Sequence, residues 1–387
     1  MYYDMINTHL EDLEMLTWCE NHHEEQLTLL KELAAIPAPS HQEEQRAAFI
    51  KNWLEKQGAK GVYIDEALNV IIPVGDVKYK PLVVFAAHSD VVFGDMDQLP
   101  LVIEDGLIKC PGVGDDTANL VMLLMAAKYI AEQKILPKEG GMLLVANSGE
   151  EGLGNLKGSR QLIKDFGHRM KEFISFDCTA HALINGAVGS KRFKVEVKTE
   201  GGHSFSNFGN KNAIAYLSAM IQELYQIQVP EKGITTYNVG TISGGTSVNT
   251  IAQQAEMLYE FRSDEKESIE IMEEKFNAVI EAYRQKGVEV NVTVVGERPC
   301  SAEVDERVQS EMAGRIADAI QRYFGWQPSA SKASTDCNIP LSVGIPAIAI
   351  GGCKGVGVHT REEYLELNTL EPGLRFVMDF LQETFYN

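Results

Sequence analysis

The feature that most constrains the fold is an alternation of short, β-rich apolar runs with longer helical segments. The runs NVIIPVG, PLVVFAAH and GMLLVANS have the length of strands, whereas TANLVMLLMAAKYIAEQ, between the second and third runs, has the length of a helix. EFISFD and PAIAIGG continue the pattern later in the chain. The alternation predicts an α/β fold, in which a mixed, mostly parallel sheet has helices on both faces.

Two helices are predicted before the first strand. The segment EEQLTLLKELAAI has apolar residues at helical spacing and stops at Pro37. A second helix is predicted from His41 to Gln57, because Ser40 is a suitable N-cap and acidic residues follow in the first turn.

The pattern changes in the later middle of the chain, where KRFKVEVKTE is followed by a helix, two strands, a long helix and VEVNVTVV. The order β-α-β-β-α-β predicts a small α+β domain inserted into the larger one, since strands of the first kind resume at PAIAIGG. We therefore expect two domains. The larger is discontinuous, over residues 1–188 and 297–387, and the inserted domain spans residues 189–296.

Charge and composition exclude several partners. Lys plus Arg total 35 against 55 Asp plus Glu, a formal net charge of −20, so nucleic acid and anionic membrane surfaces would be repelled. No window is apolar enough for a membrane helix, and the start, MYYDMINTHLEDLEM, is acidic, so we expect a cytoplasmic protein. The six cysteines lack CxxC spacing and are interpreted as reduced thiols.

Candidate metal ligands follow the predicted strands. Histidines or carboxylates come after VVFAA, MLLVANS, FISF and IAIGG, and another aspartate lies in a glycine-containing loop before a strong helix. Ligands bind at the carboxyl ends of strands in open α/β sheets, so these side chains are expected at one edge. The candidates are His88, Asp115, Glu150, Glu151, Asp177 and His359.

Each motif alone has a structural explanation: a buried histidine, a solvated turn of glutamates, or a helix cap at GVGDD. A nucleotide-binding loop at CPGVGDD is disfavoured, because GxGxxG spacing and the Lys-Ser/Thr of a P-loop are absent. Their conjunction favours a metal site, and imidazole with carboxylate but without thiolate is typical of catalytic zinc, cobalt or manganese. Asp90, two residues after His88, can accept a hydrogen bond from the second imidazole nitrogen.

These motifs resemble the di-zinc family that includes acetylornithine deacetylase, carboxypeptidase G and peptidase T. HSD, GDD, SGEEGLGNLKGS, SFD and GVHTREEYLEL occur in that order, and GGHS, NAI, GGTSVNTI and EFR lie in the inserted domain. The resemblance covers most of the chain and is closest to the peptidase T-like members. SGEEGLGN and HTREEY are its most specific motifs.

The resemblance implies a zinc-exopeptidase-like catalytic domain that binds two divalent metal ions, with zinc, cobalt and manganese as candidates. Glu150 would be the general base, which takes a proton from the attacking water and passes it to the leaving nitrogen. The implied ligands are His88 and Asp177 for one ion, Glu151 and His359 for the other, and Asp115 as the bridge.

The chain departs from the family at one motif. Relatives often have a Lys-Gly-Gly-like sequence after the bridging aspartate, whereas here Asp115 and Asp116 are followed by Thr117, Ala118 and Asn119. A substrate contact made by that lysine in relatives is therefore not carried over to this chain.

Three residues of the inserted domain are further candidates. His203 follows two glycines, Asn249 follows a glycine-rich turn and Arg262 ends a predicted strand. Taken alone, His203 could lie in an ordinary turn and Arg262 could be a surface ion-pair partner. The resemblance implies that Arg262 and Asn249 bind substrate and that His203 stabilises the tetrahedral oxyanion. It also implies that the domain is a lid and dimerisation surface, so a homodimer is expected.

The leading hypothesis is a two-metal exopeptidase of the peptidase T kind that hydrolyses di- or tripeptides. Removal of the amino-terminal residue, as by an aminopeptidase, and removal of the carboxy-terminal residue are both compatible with the sequence. An N-acyl-amino-acid deacylase would use identical metal chemistry. A non-catalytic binding protein on the same fold is a third hypothesis, and the complete ligand set with Glu150 counts against it.

Overall fold

The computed structural model describes residues 13–78 and 81–386, with side chains as far as Gln382. Its contacts divide the chain into two compact units. Unit 1 contains the residues up to Gly186 and those from Ala302 onwards, and unit 2 contains Ala187–Ser301. The predicted inserted domain falls within unit 2, and its assignment as a lid and dimerisation domain stays a prediction. Most of the acidic N-terminal stretch noted above lies outside the described residues.

The helices and strands of the described residues are numbered in chain order, and residues 13–21 are also helical. The helices are α1 (His23–Ala34), α2 (Glu44–Lys56), α3 (Ala118–Gln133), α4 (Lys157–Phe166), α5 (Ala213–Leu224), α6 (Lys266–Gln285), α7 (Glu306–Phe324), α8 (Asn338–Ser342) and α9 (Leu370–Tyr386). The strands are β1 (Tyr63–Ile64), β2 (Val70–Gly75), β3 (Leu82–His88), β4 (Val102–Glu104), β5 (Leu107–Lys109), β6 (Gly141–Asn147), β7 (Met170–Ser175), β8 (Ala182–Ala187), β9 (Gly189–Lys198), β10 (Gly202–His203), β11 (Thr235–Gly244), β12 (Thr250–Ile251), β13 (Gln254–Ser263), β14 (Glu289–Arg298), β15 (Ser329–Ala333), β16 (Ala347–Ala349), β17 (Gly355–Val356) and β18 (Tyr364–Glu366).

Unit 1 is built on an eight-stranded sheet with the order β1-β2-β6-β3-β7-β16-β8-β15. The central pairs β6–β3, β3–β7 and β7–β16 are parallel, and the flanking pairs β1–β2, β2–β6 and β16–β8 are antiparallel. Every residue of β6 is buried, which requires both faces of the sheet to be covered. The predicted α/β fold, with a mixed, mostly parallel sheet and helices on both faces, is confirmed.

Helix α3 accounts for much of this burial. Residues 118–128 are all buried, so the helix is enclosed on every side rather than amphipathic. It contacts β3 and β6 on the sheet, and α1 and α9 on its other sides. The loop that precedes α3 is therefore held next to the end of β3.

A second sheet in unit 1 has four antiparallel strands in the order β17-β18-β5-β4. In the pair of β18 with β5, Leu365 lies opposite Ile108. This pairing brings the loop before α3, residues 110–117, beside residues 357–363, which precede β18. Two loops that are distant in the sequence therefore meet in the fold.

The start of α2 differs from the sequence prediction. The helix begins at Glu44 rather than His41, and the residue at its N-cap makes no side-chain capping bond. The hydroxyl of Ser40 instead lies 2.6 Å from Asp90 Oδ2 and 3.0 Å from the backbone oxygen of Glu151. The prediction that Ser40 caps this helix was therefore wrong, because its hydroxyl bonds to residues that are distant in the sequence instead of to the first turn of the helix.

Unit 2 contains a four-stranded antiparallel sheet with the order β11-β13-β9-β14, on which α5 and α6 pack. Along the chain the elements run β9-α5-β11-β13-α6-β14, which is the predicted β-α-β-β-α-β order of a ferredoxin-like domain. Stacked rings fill its core. The ring centroid of Phe276 lies 4.4 Å from that of Phe193 and 5.5 Å from that of Tyr259.

All six cysteines are free, in agreement with their interpretation as reduced thiols. Five of them are buried and Cys178 is half-buried. Within the part of the chain that the structure describes, no helix combines the length and apolarity that a membrane crossing requires.

Candidate metal centre

Three parallel strands end at one edge of the large sheet. In the β3–β6 ladder His88 lies opposite Asn147, so the residues that follow Asn147 emerge beside His88. On the other side of β3, β7 ends at Ser175, two residues before Asp177. The parallel register therefore brings polar side chains from three strand ends together, as open α/β sheets do at their ligand sites.

Six imidazole and carboxylate side chains converge at this edge. Their potential ligand atoms form three overlapping groups, each within 4.8 Å: His88, Asp115 and Asp177; Asp115, Glu151 and His359; and His88, Glu150 and Glu151. These are the six residues singled out from the sequence, and the structure brings all of them together. Their roles as ligands or as base stay predictions.

Asp115 lies at the centre of the cluster. Its Oδ1 is 2.9 Å from Nε2 of His88, and its Oδ2 is 3.0 Å from Nε2 of His359. Nε2 of His359 also lies 3.2 Å from Oε1 of Glu151. Because its two oxygens face different imidazoles, Asp115 has the geometry expected of a carboxylate shared by two ions.

Asp90 lies behind the cluster and orients its members. Its carboxylate accepts hydrogen bonds from the backbone N–H groups of Glu150 at 3.0 Å and Glu151 at 2.9 Å. Nδ1 of His88 is 3.0 Å from the backbone oxygen of Asp90 and 3.6 Å from its carboxylate. The carboxylate of Asp90 was predicted to accept a hydrogen bond from the imidazole of His88. In the structure the backbone carbonyl of Asp90 lies nearer to Nδ1, and the carboxylate fixes the turn that carries the two glutamates.

Glu363 is a second buried carboxylate with this kind of role, and it was not among the residues predicted from the sequence. Its Oε2 accepts the N–H of Gly112 at 2.6 Å, and its Oε1 accepts those of Gly114 at 2.7 Å and Asp115 at 3.0 Å. Three backbone bonds to one side chain fix the loop that carries the central aspartate. The signal in the sequence was the HTREEY motif, which gave no means of choosing between its two glutamates.

Two residues of the segment after Asp115, where the chain departs from the family's Lys-Gly-Gly pattern, have structural partners. Asp116 accepts the backbone N–H of His88 at 2.8 Å and the side-chain amide of Asn119 at 2.6 Å. Asn119 also donates to the backbone oxygen of Cys178 at 3.0 Å and accepts the N–H of Gly352 at 2.8 Å. These positions therefore connect the loop before α3 to the segments that follow β7 and β16.

The electrostatics of the cluster fit divalent cations. Burial raises the pKa of Asp177 to about 8 and that of Glu151 to about 7, and the charges of Asp115 and Glu150 act in the same direction. Hydrogen bonds to Asp115 and Glu151 raise the pKa of His359 to about 10. Buried carboxylates that repel one another are stabilised by a cation between them. Imidazole and carboxylate donors without thiolate fit zinc, cobalt or manganese.

His203 lies in unit 2, in the short strand β10. Its Nδ1 accepts hydrogen bonds from the backbone N–H groups of Phe205 at 3.2 Å and Ser206 at 3.3 Å. A ring nitrogen that accepts a hydrogen bond carries no proton, so Nε2 carries the proton of the neutral ring and is left to donate. Asn249 is a neighbour, because its backbone oxygen accepts the N–H of Ser204 at 3.0 Å.

Arg262 lies in strand β13 of unit 2 and is engaged in an ion pair. Its Nε and Nη2 donate to the carboxylate of Glu260 at 2.9 Å and 3.1 Å, and Arg192 Nε donates to the same carboxylate at 3.1 Å. The alternative given in the sequence analysis, that Arg262 is an ion-pair partner, therefore describes this structure. A substrate carboxylate would have to compete with Glu260, and the substrate role of Arg262 stays a prediction.

Comparison with known sequences gives one family. Residues 84–383 match the family model described as Peptidase family M20/M25/M40. The uncharacterised protein YqjE of Bacillus subtilis is 26% identical over 333 residues, which are 81% of this chain and 84% of that protein. A succinyl-diaminopimelate desuccinylase of Burkholderia multivorans is 25% identical over 313 residues, which are 75% of this chain and 80% of that protein.

Comparison with solved structures gives the same fold. The crystal structure of a tripeptidase from Staphylococcus aureus matches with a TM-score of 0.75 and 21% identity. The match covers 94% of this chain and 99% of the tripeptidase chain. This chain therefore shares its fold with a solved tripeptidase structure.

The raised pKa values predict how stability depends on pH. Carboxyl groups with a raised pKa bind more protons in the folded state than in the unfolded state. The metal-free protein should therefore lose stability as the pH rises from about 6 to about 8. The free energy of unfolding should fall by on the order of 1 kcal/mol per pH unit for each such group. Metal ions replace those protons, so the rise in Tm on adding zinc should be larger at pH 8 than at pH 6. Thermal unfolding of chelator-treated protein, with and without zinc, measures both effects.

Asp177→Asn serves as the matched control, because it removes a carboxyl group whose pKa is raised to about 8. Its metal-free Tm should vary less with pH than that of the wild type. A metal-free wild-type Tm that is flat or rises between pH 6 and pH 8 would contradict the electrostatic description of the centre.

A second prediction concerns Glu363. Replacement with Gln puts an amide N–H against backbone N–H groups, which removes at least one bond to the loop that carries Asp115. We expect metal affinity to fall roughly 10- to 100-fold, as for other residues that orient ligands. Competition with a chelator measures this affinity. The exposed neighbour Glu362, changed to Gln, is the control, and equal affinities for the two variants would show that Glu363 does not orient the centre.

Proposed function

Because the chain belongs to the peptidase family M20/M25/M40 and is a metal-dependent hydrolase, we propose that it is an exopeptidase that hydrolyses di- or tripeptides. The observation that carries the proposal is the position of Asp115 between two imidazoles, with Glu150 in the adjoining group. A carboxylate bridge beside a further carboxylate is what hydrolysis by a two-metal centre requires. The structural match to a tripeptidase supports a short peptide as substrate.

The ligand assignment proposed for the centre follows its geometric groups. His88 and Asp177 would hold one ion, Glu151 and His359 the other, and Asp115 would be shared. When bound, zinc, or alternatively cobalt or manganese, would polarise the scissile carbonyl and lower the pKa of a water molecule towards neutrality. The protein supplies the rest of the chemistry through its own side chains.

Glu150 is proposed as the general base. Its backbone N–H is fixed by Asp90 at 3.0 Å, and its carboxylate belongs to the same group as His88 and Glu151. The side chain is largely buried, so a proton taken from water stays near the reacting atoms instead of passing to solvent. Glu150 can then deliver this proton to the leaving nitrogen, which would otherwise depart as an unstable amide anion.

His203 is proposed as the donor to the tetrahedral oxyanion. The backbone N–H groups that donate to its Nδ1 leave Nε2 as the nitrogen that can donate to a developing negative charge. Asn249 and Arg262 are proposed to bind the substrate, with Arg262 recognising a terminal carboxylate in exchange for Glu260.

A homodimer through unit 2 is part of the proposal. Strand β11 lies at the edge of the four-stranded sheet, where unpaired backbone groups can bind a second copy. Ile234 and Ile242, at or next to this strand, are 74% and 55% exposed, and Ile214 on α5 is 40% exposed. Exposed apolar side chains beside an edge strand favour an interface there.

We propose a cytoplasmic location because the cysteines form no disulfides in the part of the chain that the structure describes. All six thiols are free. Free thiols persist in reducing compartments, whereas secreted proteins commonly form disulfides.

A deacylase of N-acyl amino acids is the second candidate. The similarity to a succinyl-diaminopimelate desuccinylase, which covers 75% of the chain, favours it specifically. Both reactions break an amide bond with the same centre and the same base, so they differ only in the substrate that the binding residues accept.

The experiment that tests the proposed function combines a substrate panel with one substitution. The zinc- or cobalt-loaded protein is assayed on di- and tripeptides and on N-acyl amino acids. Glu150→Gln keeps the size of the side chain but cannot accept a proton, so kcat should fall roughly 10²- to 10⁴-fold while metal content is unchanged. Steady-state kinetics and elemental analysis measure the two quantities.

Glu151→Gln is the matched control, since it should lose part of the bound metal. Extensive chelation should abolish hydrolysis, and zinc or cobalt should restore it. Full activity of thoroughly metal-free protein, or near-normal turnover by Glu150→Gln, would overturn the proposed mechanism. Turnover of acylated amino acids without turnover of peptides would establish the deacylase instead.

A mixing experiment tests whether His203 serves the site of the partner subunit, as the family resemblance implies. His203→Ala and Glu150→Gln should each be nearly inactive. After subunit exchange, a heterodimer would combine one intact metal centre with one intact histidine, so part of the activity should return. Verified exchange without recovery would show that His203 acts within its own chain or not at all.

A further inference from the structure

The glutamate loop, residues 148–156, carries both glutamates of the centre between β6 and α4. Backbone hydrogen bonds close its two ends. The N–H of Gly158 donates to the oxygen of Ser148 at 3.0 Å, and the N–H of Leu156 donates to the oxygen of Gly149 at 2.8 Å. The residues just before and just after the loop therefore lie side by side.

Asp336, which lies between β15 and α8, contacts both ends of the glutamate loop. It is fully buried. Its Oδ2 accepts a hydrogen bond from the side-chain amide of Asn147, and its Oδ1 accepts one from the hydroxyl of Ser159. Asn147 is the last residue of β6 and Ser159 lies in the first turn of α4. One carboxylate therefore joins the residue before the loop to a residue after it.

A neutral side chain joins the same ends nearby. Asn69 accepts the N–H of Ser148 at 3.0 Å and donates to the oxygen of Gly158 at 3.1 Å. Joining the ends therefore does not in itself require a charge.

The negative charge of Asp336 is costly at this position. Burial raises the pKa of its carboxyl group to about 7, and the charge of Glu150 acts in the same direction. The buried carboxylate accepts two strong, charge-assisted hydrogen bonds. Such bonds fix the positions of their donors more tightly than neutral hydrogen bonds do. Precise geometry is what a loop with a catalytic base needs.

We propose that Asp336 is a positioning residue for hydrolysis. By joining Asn147 to Ser159 it fixes the glutamate loop so that Glu150 meets the attacking water and Glu151 meets its metal. The proposal rests on the proposed function, because the roles of both glutamates belong to it. A displacement of the loop by about 1 Å would lower the rate by roughly 10²-fold. Asp336 acts through the loop and does not contact the substrate.

The test compares Asp336→Ala, Asp336→Asn and Ser159→Ala in the metal-loaded enzyme. Asp336→Ala removes both bonds, so kcat should fall at least roughly tenfold while KM changes by less than about threefold. Asp336→Asn keeps one acceptor and Ser159→Ala removes one bond, so both should give intermediate kcat values. The visible absorption of the cobalt-loaded protein should shift in Asp336→Ala, since Glu151 moves relative to its metal.

Asp379→Asn is the matched control, because Asp379 is a buried carboxylate of unit 1 that pairs with Arg322. Its kcat and cobalt spectrum should equal those of the wild type. Wild-type kcat in Asp336→Ala, or an equal loss in Asp379→Asn, would overturn the proposal. If Asp336→Ala does not fold, unchanged kcat in both Asp336→Asn and Ser159→Ala would overturn it.

The outcome is distinguishable from a failure of the proposed function. The wild type and Glu150→Gln decide whether the chain hydrolyses amides with Glu150 as base. The cobalt spectrum of the Asp336 variants reports the position of Glu151 without any substrate. A wild-type spectrum in Asp336→Ala would therefore overturn the positioning role even if the substrate assignment were changed.

Discussion

The crowding of carboxylates in a buried place is the constraint on which the centre of unit 1 depends. Parallel strands end at one edge of the sheet, and the side chains that follow them are shielded from water. Each additional negative charge then raises the cost of the others, as the raised pKa values of Asp177 and Glu151 show. The fold meets this cost with positive partners, namely two imidazoles, backbone N–H groups and, in the proposed function, two divalent ions.

The carboxylates divide into those that face the cluster and those that fix its supports. Asp115, Glu151 and Asp177 have potential ligand atoms in the geometric groups. Asp90 and Glu363 instead accept backbone N–H groups of the segments that carry these residues. A ligand on a loop is only as well placed as the loop itself, so the second set gives irregular segments the rigidity that strands have by pairing.

Local signals explain what the sequence could and could not predict. Strands and helices have distinct periodicities, and a polar residue at a strand end is visible in the sequence, so the sheet and the residues His88, Glu150, Glu151 and Asp177 were accessible. Asp115 lies in a loop before a helix and His359 lies beyond a glycine-rich stretch, so these two were identified from the GDD and GVHTREEYLEL motifs. Glu363 could not be assigned, because its partners lie about 250 residues earlier in the chain, at sequence separations of 248 to 251. Ser40 shows the same limit. Serine is a common N-cap residue, but the hydroxyl of Ser40 bonds to Asp90 and Glu151, which follow distant strands.

The discontinuity of unit 1 has a consequence for biosynthesis. Residues 302–387 complete the unit after the whole of unit 2, and they include His359 and Glu363, whereas His88 and Asp115 lie in the first part. Chains emerge from the ribosome with the N-terminus first, and domains fold as they become complete. A nascent chain therefore holds His88, Asp115, Glu151 and Asp177 without the imidazole of His359 and without the carboxylate of Glu363 until nearly all of it has been made. In the proposed function, the complete ligand set therefore exists only in the finished chain, and a prematurely terminated product would lack it.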